Sequence, residues 1–155
     1  MIDLVVDTCT LVHANSETKY QEYSIELINK LLLNETFLIV DEGFDLNEQN
    51  NRSYIGLEYI KHLAPGMLGH SLLQHLAVSE RFKFVSNKVP NATKNRIEQL
   101  IRNKKDRMFL RISLNSGEKK LVSHDYTDYQ KNKRKTIKRE MDVAIIDASE
   151  VIEDL

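Results

Sequence analysis

The sequence contains a single cysteine, Cys9, so the chain cannot form a disulfide bond within itself. Proteins without disulfides are typical of a reducing compartment, and we predict a cytoplasmic location. We interpret Cys9 as a small buried side chain, with a catalytic nucleophile as the alternative. No apolar run approaches the ~20 residues that span a membrane, and no basic segment with a following apolar stretch opens the chain. We therefore expect neither a membrane anchor nor a secretion signal.

The glycine-rich motifs of common nucleotide-binding proteins are also missing, both the P-loop and the dinucleotide-binding pattern. The five histidines have no metal-ligand spacing with the lone cysteine, which argues against a zinc site. His124 is therefore interpreted as a structural residue, although an acid follows it. The sequence also shows no internal repeat, low-complexity segment or linker. A chain of 155 residues that is 41% hydrophobic and 29% charged is expected to form one soluble domain over residues 1–155.

Short apolar runs alternate with segments of helical spacing. Strands are predicted at residues 4–6, 36–40, 82–85, 121–123 and 143–146, and helices at 16–34, 54–63, 67–79, 90–101 and 105–115. In the last of these segments, apolar and polar residues also alternate as in a strand, but Asp106 in a first helical turn favours the helix. The pattern predicts an α/β fold, a three-layer α/β/α sandwich around a central, mostly parallel sheet of about five strands.

Two predicted strands lead into a carboxylate. Asp7 follows the run at residues 4–6, and Asp125 follows the strand at 121–123. Asp7 could instead cap a helix or face solvent in a turn. If the two strands are neighbours, both carboxylates lie in one crevice at the carboxyl ends of the strands, where α/β proteins bind ligands. We therefore expect the first strand at the centre of the sheet, beside the 121–123 strand, where the strand order reverses.

Two acids on helices, Glu58 and Asp106, could face the same crevice. Like charges packed together repel, and a hard divalent cation such as Mg²⁺ or Mn²⁺ removes that repulsion. Carboxylates without histidine and cysteine partners favour these ions over zinc. The ion would activate a water molecule for displacement at a phosphodiester. Paired carboxylates that act without a metal, as in glycosidases, are the competing use.

The basic residues are concentrated in the second half of the chain. Of the 22 lysines and arginines, 13 lie between Arg102 and Arg139, where only four acids occur. Such a block indicates a polyanionic partner, with a solvated helix face as the alternative. Tyr126 and Tyr129 could stack on bases or pack the loop onto the sheet. The predicted nucleic-acid contacts are Lys104, Lys105, Arg107, Lys131, Lys133, Arg134 and Lys135.

Several of these stretches together resemble the PIN-domain nuclease family. LVVDTC at residues 4–9 is similar to the family's opening strand and first acid, and LVSHDYTDY at 121–129 is similar to its late acidic signature. KDRMFLRISLNS at 105–116 resembles the helix that carries the third acid. VDEG from residue 40, LEYIKHL from 57 and PGMLGHSLLQHL from 65 resemble a subgroup in which a glutamate–tyrosine helix supplies the second acid. The pieces occur in the family's order over nearly the whole chain.

The resemblance implies a metal-dependent endoribonuclease of a toxin, RNA-processing or defence type. Its catalytic carboxylates would be Asp7, Glu58, Asp106 and Asp125, and its Mg²⁺ or Mn²⁺ ligands Asp7, Asp106, Asp125 and Asp128. It also implies an RNA substrate. An antitoxin or other protein partner and a homo-oligomer are possible but not required by the resemblance.

Two alternatives remain at this stage. The segment before Glu58 is long, so Glu42, Asp45 or Glu48 could supply the second carboxylate. A non-catalytic PIN-like module that binds RNA or a protein through the basic block is the alternative function. A haloacid-dehalogenase-like phosphatase is disfavoured, because its second aspartate would stand where Cys9 is.

Overall fold

A computed structural model describes residues 2–155 of the chain. Its strands are β1 (Asp3–Val6), β2 (Phe37–Asp41), β3 (Phe82–Val85), β4 (Lys120–Val122) and β5 (Ala144–Ile146). Its α-helices are α1 (Thr8–Val12), α2 (Gln21–Leu33), α3 (Tyr54–His62), α4 (Leu68–Val78), α5 (Asn91–Leu100), α6 (Lys104–Leu114), α7 (Lys131–Met141) and α8 (Ala148–Val151). Short 3₁₀ turns follow α1 and α8, at His13–Asn15 and Ile152–Asp154.

The five strands form one sheet in the order β3-β2-β1-β4-β5, and every neighbouring pair is parallel. All four residues of β1 are buried, as expected of a central strand covered on both faces. Helix α2 packs with α4 and α8, whereas α6 packs with α3 and α5. The predicted three-layer α/β/α sandwich is therefore confirmed.

The strand order reverses beside β1. The chain moves outward through β2 and β3, and then returns to place β4 on the other side of β1. Val5 pairs with Leu121 and Val6 with Val122, so these two strands end at the same level. This is the predicted arrangement, and it opens a crevice immediately after residues 6 and 122.

The helices differ from prediction in four main places, and two of these are α7 and α8, in segments for which no helix was predicted. The short helix α1 was not predicted, because its five residues TCTLV are too few to show a helical period. Helix α2 begins at Gln21 and not at residue 16, because the Ser16 backbone N–H bonds to the His13 carbonyl and closes a 3₁₀ turn. The segment at 105–115 is helical as predicted, in α6. Within residues 2–155, no helix combines the length and apolar character needed to cross a membrane.

Candidate metal centre

Asp7 occupies the end of β1 and is 2% exposed. It caps α1, because its Oδ1 accepts hydrogen bonds from the backbone N–H of Thr10 at 3.0 Å and from the Thr10 hydroxyl. The Cys9 thiol donates to the same oxygen at 3.2 Å, and the Ser123 hydroxyl donates to Oδ2. The helix-cap interpretation of Asp7 is thus correct. The cap also fixes the carboxylate at the crevice, with Oδ2 less heavily used than Oδ1.

Asp125 lies in the loop after β4, and hydrogen bonds hold it on three sides. Its Oδ1 accepts the backbone N–H groups of Thr127 at 3.0 Å and Asp128 at 2.9 Å. Its own N–H donates to the Ser123 hydroxyl at 3.0 Å. Ser123 therefore links Asp7 to Asp125 across the two neighbouring strands. The loop orients the Asp125 carboxylate without using its Oδ2 in these contacts.

Asp106 approaches from the first turn of α6 and is 3% exposed. The fully buried Tyr129 ties this turn to the loop, because its hydroxyl donates to the Asp106 carbonyl oxygen. Tyr129 thus packs the loop, as the second of its two interpretations proposed. Oδ2 of Asp106 is buried and has no hydrogen-bond partner among the described residues. A buried carboxylate oxygen in that condition is costly unless a cation or a proton neutralises it.

Three carboxylates converge at this point. Asp106, Asp125 and Asp128 each offer an oxygen, and these oxygens lie within 4.8 Å of one another. Asp7 is not in that group of three, but it lines with Asp106 and Asp125 one cavity of about 30 Å³, which Asp128 does not line. That volume holds about one water-sized sphere or ion. The Thr8 hydroxyl is another buried oxygen without a hydrogen-bond partner in residues 2–155, and so is Oε2 of Glu58, outside this cavity. The carboxylate and hydroxyl oxygens of this donor set suit Mg²⁺ or Mn²⁺, although Cys9 and Lys105 also line the cavity.

The electrostatics of the cluster also favour a cation. Burial, the adjacent Asp128 carboxyl and the charges of Asp125 and Asp7 raise the pKa of Asp106 to about 8. Burial also raises the pKa of Asp7, although its four hydrogen bonds oppose the rise. Without a metal, Asp106 therefore retains a proton near neutral pH. A divalent cation would take the place of that proton.

Arg134 was predicted to contact RNA, but the structure places it inside the loop, 8% exposed. Its guanidinium donates to the backbone oxygens of Tyr129 at 2.7 Å, Ser123 at 3.0 Å and Asp125 at 3.1 Å. The same group lies 3.8 Å from the centre of the Tyr126 ring. An arginine bonded to three carbonyl groups shapes the loop that carries Asp125. The predicted phosphate contact does not fit this position.

Glu58 is not part of the three-carboxylate group and does not line its cavity. It lies on α3, with Oε2 3.5 Å from Nε2 of His62. The alternative acids Glu42, Asp45 and Glu48 are exposed in the loop between β2 and α3. The identity of a second carboxylate on this side of the crevice therefore stays a prediction.

The buried acid at the end of β2 is Asp41, and it serves as an anchor for α3. It accepts the Ser53 hydroxyl and the N–H groups of Tyr54 at 3.0 Å and Ile55 at 3.2 Å. An acid at a strand end thus has a structural role here, in contrast to the cluster around Asp106.

The remaining predicted RNA contacts differ in exposure. Lys104, Lys131 and Lys135 are exposed, whereas Lys105, Arg107 and Lys133 are partly buried. Lys105 lines the 30 Å³ cavity beside Asp106, and Arg107 donates to the Ile101 carbonyl at 2.6 Å. The exposed lysines are free to contact a polyanion.

Sequence reasoning missed a pair of histidines behind Asp125. Nδ1 of His13 lies 3.0 Å from Nδ1 of His124, although 111 residues separate them. The backbone N–H of Ala148 donates to Nε2 of His124 at 3.1 Å. His124 therefore carries its proton on Nδ1 and donates it to His13. Burial and the neighbouring His13 lower the pKa of His124 to about 4, so the ring is neutral at physiological pH. No sequence pattern indicates a contact over this separation.

No protein-family model, no curated protein and no solved structure matches the chain.

Proposed function

We propose that the chain is a metal-dependent endoribonuclease of the PIN-like class, which uses Mg²⁺ or Mn²⁺ to cleave single-stranded RNA in the cytoplasm. The observation that carries the proposal is the convergence of Asp106, Asp125 and Asp128, with Oδ2 of Asp106 buried and unpartnered. A carboxylate cluster that only capped helices would resemble Asp41, whose oxygens are occupied by hydrogen bonds.

Each residue has a definite task in this proposal. The metal, when bound, would activate water and stabilise charge on the scissile phosphate. Asp106, Asp125 and Asp128 would bind the ion, and Asp7 would complete the oxygen shell through Oδ2. Ser123 orients Asp7, and Arg134 holds the loop in shape. The exposed lysines Lys104, Lys131 and Lys135 would contact the RNA backbone, which makes the affinity fall with increasing salt.

The test is cleavage of a labelled single-stranded RNA in Mn²⁺ by wild type, Asp106→Asn and Asp125→Asn. Both variants preserve side-chain shape, and their cleavage rates are expected to fall by at least about 100-fold. Loss of an outer partner of a metal ligand typically costs about 10–100-fold, and these variants remove the charge of a ligand itself. Asp142→Asn is the matched control, because Asp142 is exposed and in a left-handed conformation that asparagine accepts.

The proposal is wrong if both variants cleave as well as wild type, or if chelation of Mn²⁺ leaves the wild-type rate unchanged. Undiminished RNA binding with no cleavage by the wild-type chain in Mn²⁺ would instead support the non-catalytic binding module.

A further inference from the structure

A second cavity lies on the other side of the Asp125 segment. It measures about 600 Å³, within the range of small-molecule sites. Its walls include Tyr20, Tyr23, His124 and Tyr126, with Lys19 and Lys131 exposed beside them. We refer to it as the aromatic pocket. This cavity is twenty times larger than the metal cavity, which is about 30 Å³.

The two cavities share one short stretch of backbone. Side chains of His124 and Tyr126 line the aromatic pocket, whereas Asp125 between them lines the metal cavity. Adjacent residues of one short segment therefore line both cavities, so a strand that follows this segment can place a base in one cavity and the adjoining phosphate in the other. A ligand that occupies both cavities must carry a phosphate beside a flat ring.

The aromatic walls of the pocket are held rigidly. The rings of His13 and His124 are 10° from parallel with centres 5.2 Å apart, and their Nδ1 atoms are hydrogen-bonded, so the two rings are nearly coplanar. Tyr20 lies across this pair, 4.5 Å from the His124 ring centre and 5.3 Å from that of His13. The three rings form an aromatic platform, and Nζ of the exposed Lys19 lies over the Tyr20 ring, 5.1 Å from its centre, where an incoming base would displace it.

Tyr126 is fixed from two directions. Its hydroxyl donates to Asp147 at 2.8 Å, and Arg134 lies against its ring, 3.8 Å from the ring centre. Near it, the Ser149 hydroxyl donates to Asp147 and keeps its lone pairs for an incoming N–H group. Preformed aromatic surfaces of this kind bind unpaired bases by stacking, and the lysines at the rim suit the neighbouring phosphates.

We propose that the aromatic pocket binds one unpaired nucleobase of the RNA, next to the phosphate held at the metal centre. This inference rests on the proposed function, because it takes RNA as the ligand and the metal centre as the position of the scissile phosphate. The pocket then sets the register of the strand, since only one base can enter while the adjoining phosphate reaches the carboxylates.

The experiment uses short single-stranded RNAs in which 2-aminopurine is moved one nucleotide at a time. The chain has no tryptophan, so little protein fluorescence interferes, and stacking quenches the reporter. Binding is measured by stopped flow in Mn²⁺ before cleavage proceeds, and the cut site is mapped separately in the same buffer. We expect strong quenching at one position only, immediately beside the mapped cut. Tyr20→Leu and Tyr126→Leu should abolish the quench and weaken RNA binding roughly 5- to 150-fold, the range for loss of one stacked base.

Two controls separate stacking from general damage. Tyr20→Phe keeps the ring and should keep the quench. Phe84→Leu removes an aromatic ring that is 54% exposed on the edge strand β3, and should change nothing. An RNA with an abasic nucleotide at the quenched position should bind as weakly to wild type as the intact RNA binds to Tyr20→Leu.

The outcomes for the pocket and for the nuclease differ. Equal quenching at all positions, or an unchanged quench in both leucine variants, overturns the pocket even if wild type still cleaves RNA in Mn²⁺. Position-specific quenching that Tyr20→Leu removes supports the pocket even if no cleavage occurs, in which case only the proposed nuclease activity fails. Absence of any RNA binding by wild type overturns both.

Discussion

Replacement of Asp106 by asparagine is expected to stabilise the metal-free protein and to abolish its response to metal. The pKa of Asp106 is raised to about 8, mainly by burial and then by the adjacent Asp128 carboxyl. In the unfolded chain the same group titrates near ~3.9. The folded state therefore retains a proton that the unfolded state releases between these two values.

The sign of the pH effect follows from this difference. Because the folded state binds more protons, the contribution of Asp106 to stability is complete below pH ~4 and is lost as the pH rises through about 8. At pH 9 the wild-type cluster carries an unpaired buried charge, and asparagine does not. Water at the mouth of the cavity screens part of that charge, so we expect a gain of about 1–3 kcal/mol for Asp106→Asn at pH 9. The gain should be close to zero at pH 4.

Metal should cancel or reverse this difference in stability. An ion at 100 times its dissociation constant adds about 2.7 kcal/mol to the free energy of unfolding of a chain that binds it only when folded. Wild type should gain this amount in Mn²⁺, and Asp106→Asn should gain little. For a domain of this size, 1 kcal/mol shifts the melting temperature by about 2–4 °C.

The assay is thermal unfolding followed by circular dichroism at pH 5, 7 and 9, with Mn²⁺ and with chelator. Asp142→Asn, an exposed aspartate outside the cluster, should behave as wild type throughout. A metal-free Asp106→Asn protein that is less stable than wild type at pH 9 would refute the electrostatic reasoning. Equal stabilisation of both chains by Mn²⁺ would refute the assignment of Asp106 as a ligand.

Three further predictions concern the same centre. The apparent affinity for Mn²⁺ should rise up to about tenfold per pH unit and level off above the Asp106 pKa of about 8, as calorimetry in buffers of different ionisation enthalpy can measure. Arg134→Met should lower the free energy of unfolding in urea by about 2–4 kcal/mol and weaken Mn²⁺ binding, because three carbonyl groups lose a charged donor. Lys135→Met, at an exposed site, should change neither quantity. Cys9 should resist alkylation in the folded chain at pH 8, because burial and Asp7 raise the pKa of its thiol. The Cys9→Ala variant should still cleave RNA. Loss of cleavage by a folded Cys9→Ala protein would support the alternative that Cys9 is a nucleophile.

The sheet and its switch point could be predicted because they depend on local patterns. Short β-branched runs that alternate with segments of helical periodicity are compatible with few folds other than a parallel sheet covered by helices. The position of β1 beside β4 follows from placing together the two strands that end in an acid. The position of Asp106 in the first turn of a helix could be predicted as well, since an acid in the first turn interacts favourably with the helix dipole.

Other parts of the site depend on tertiary packing that no local pattern carries. Arg134 has the sequence context of a basic surface helix, yet the loop after β4 turns its guanidinium inward towards three carbonyl groups. Asp41 and Asp7 look alike as acids at strand ends, but only the fold shows that Asp41 is fully engaged in anchoring α3. The pairing of His13 with His124 joins segments from opposite ends of the chain.

The placement of β1 between β2 and β4 has a consequence for synthesis on the ribosome. The first strand emerges early, but its hydrogen-bonded link from Asp7 to Ser123 needs a residue 116 positions later. Residues 2–114 supply Asp7 and Asp106 without the loop that bears Asp125 and Asp128. A nascent chain therefore cannot bring these carboxylates together until residues 123–128 have been translated. For the proposed nuclease, this order of assembly means that the carboxylate cluster cannot form before the loop after β4 has been made.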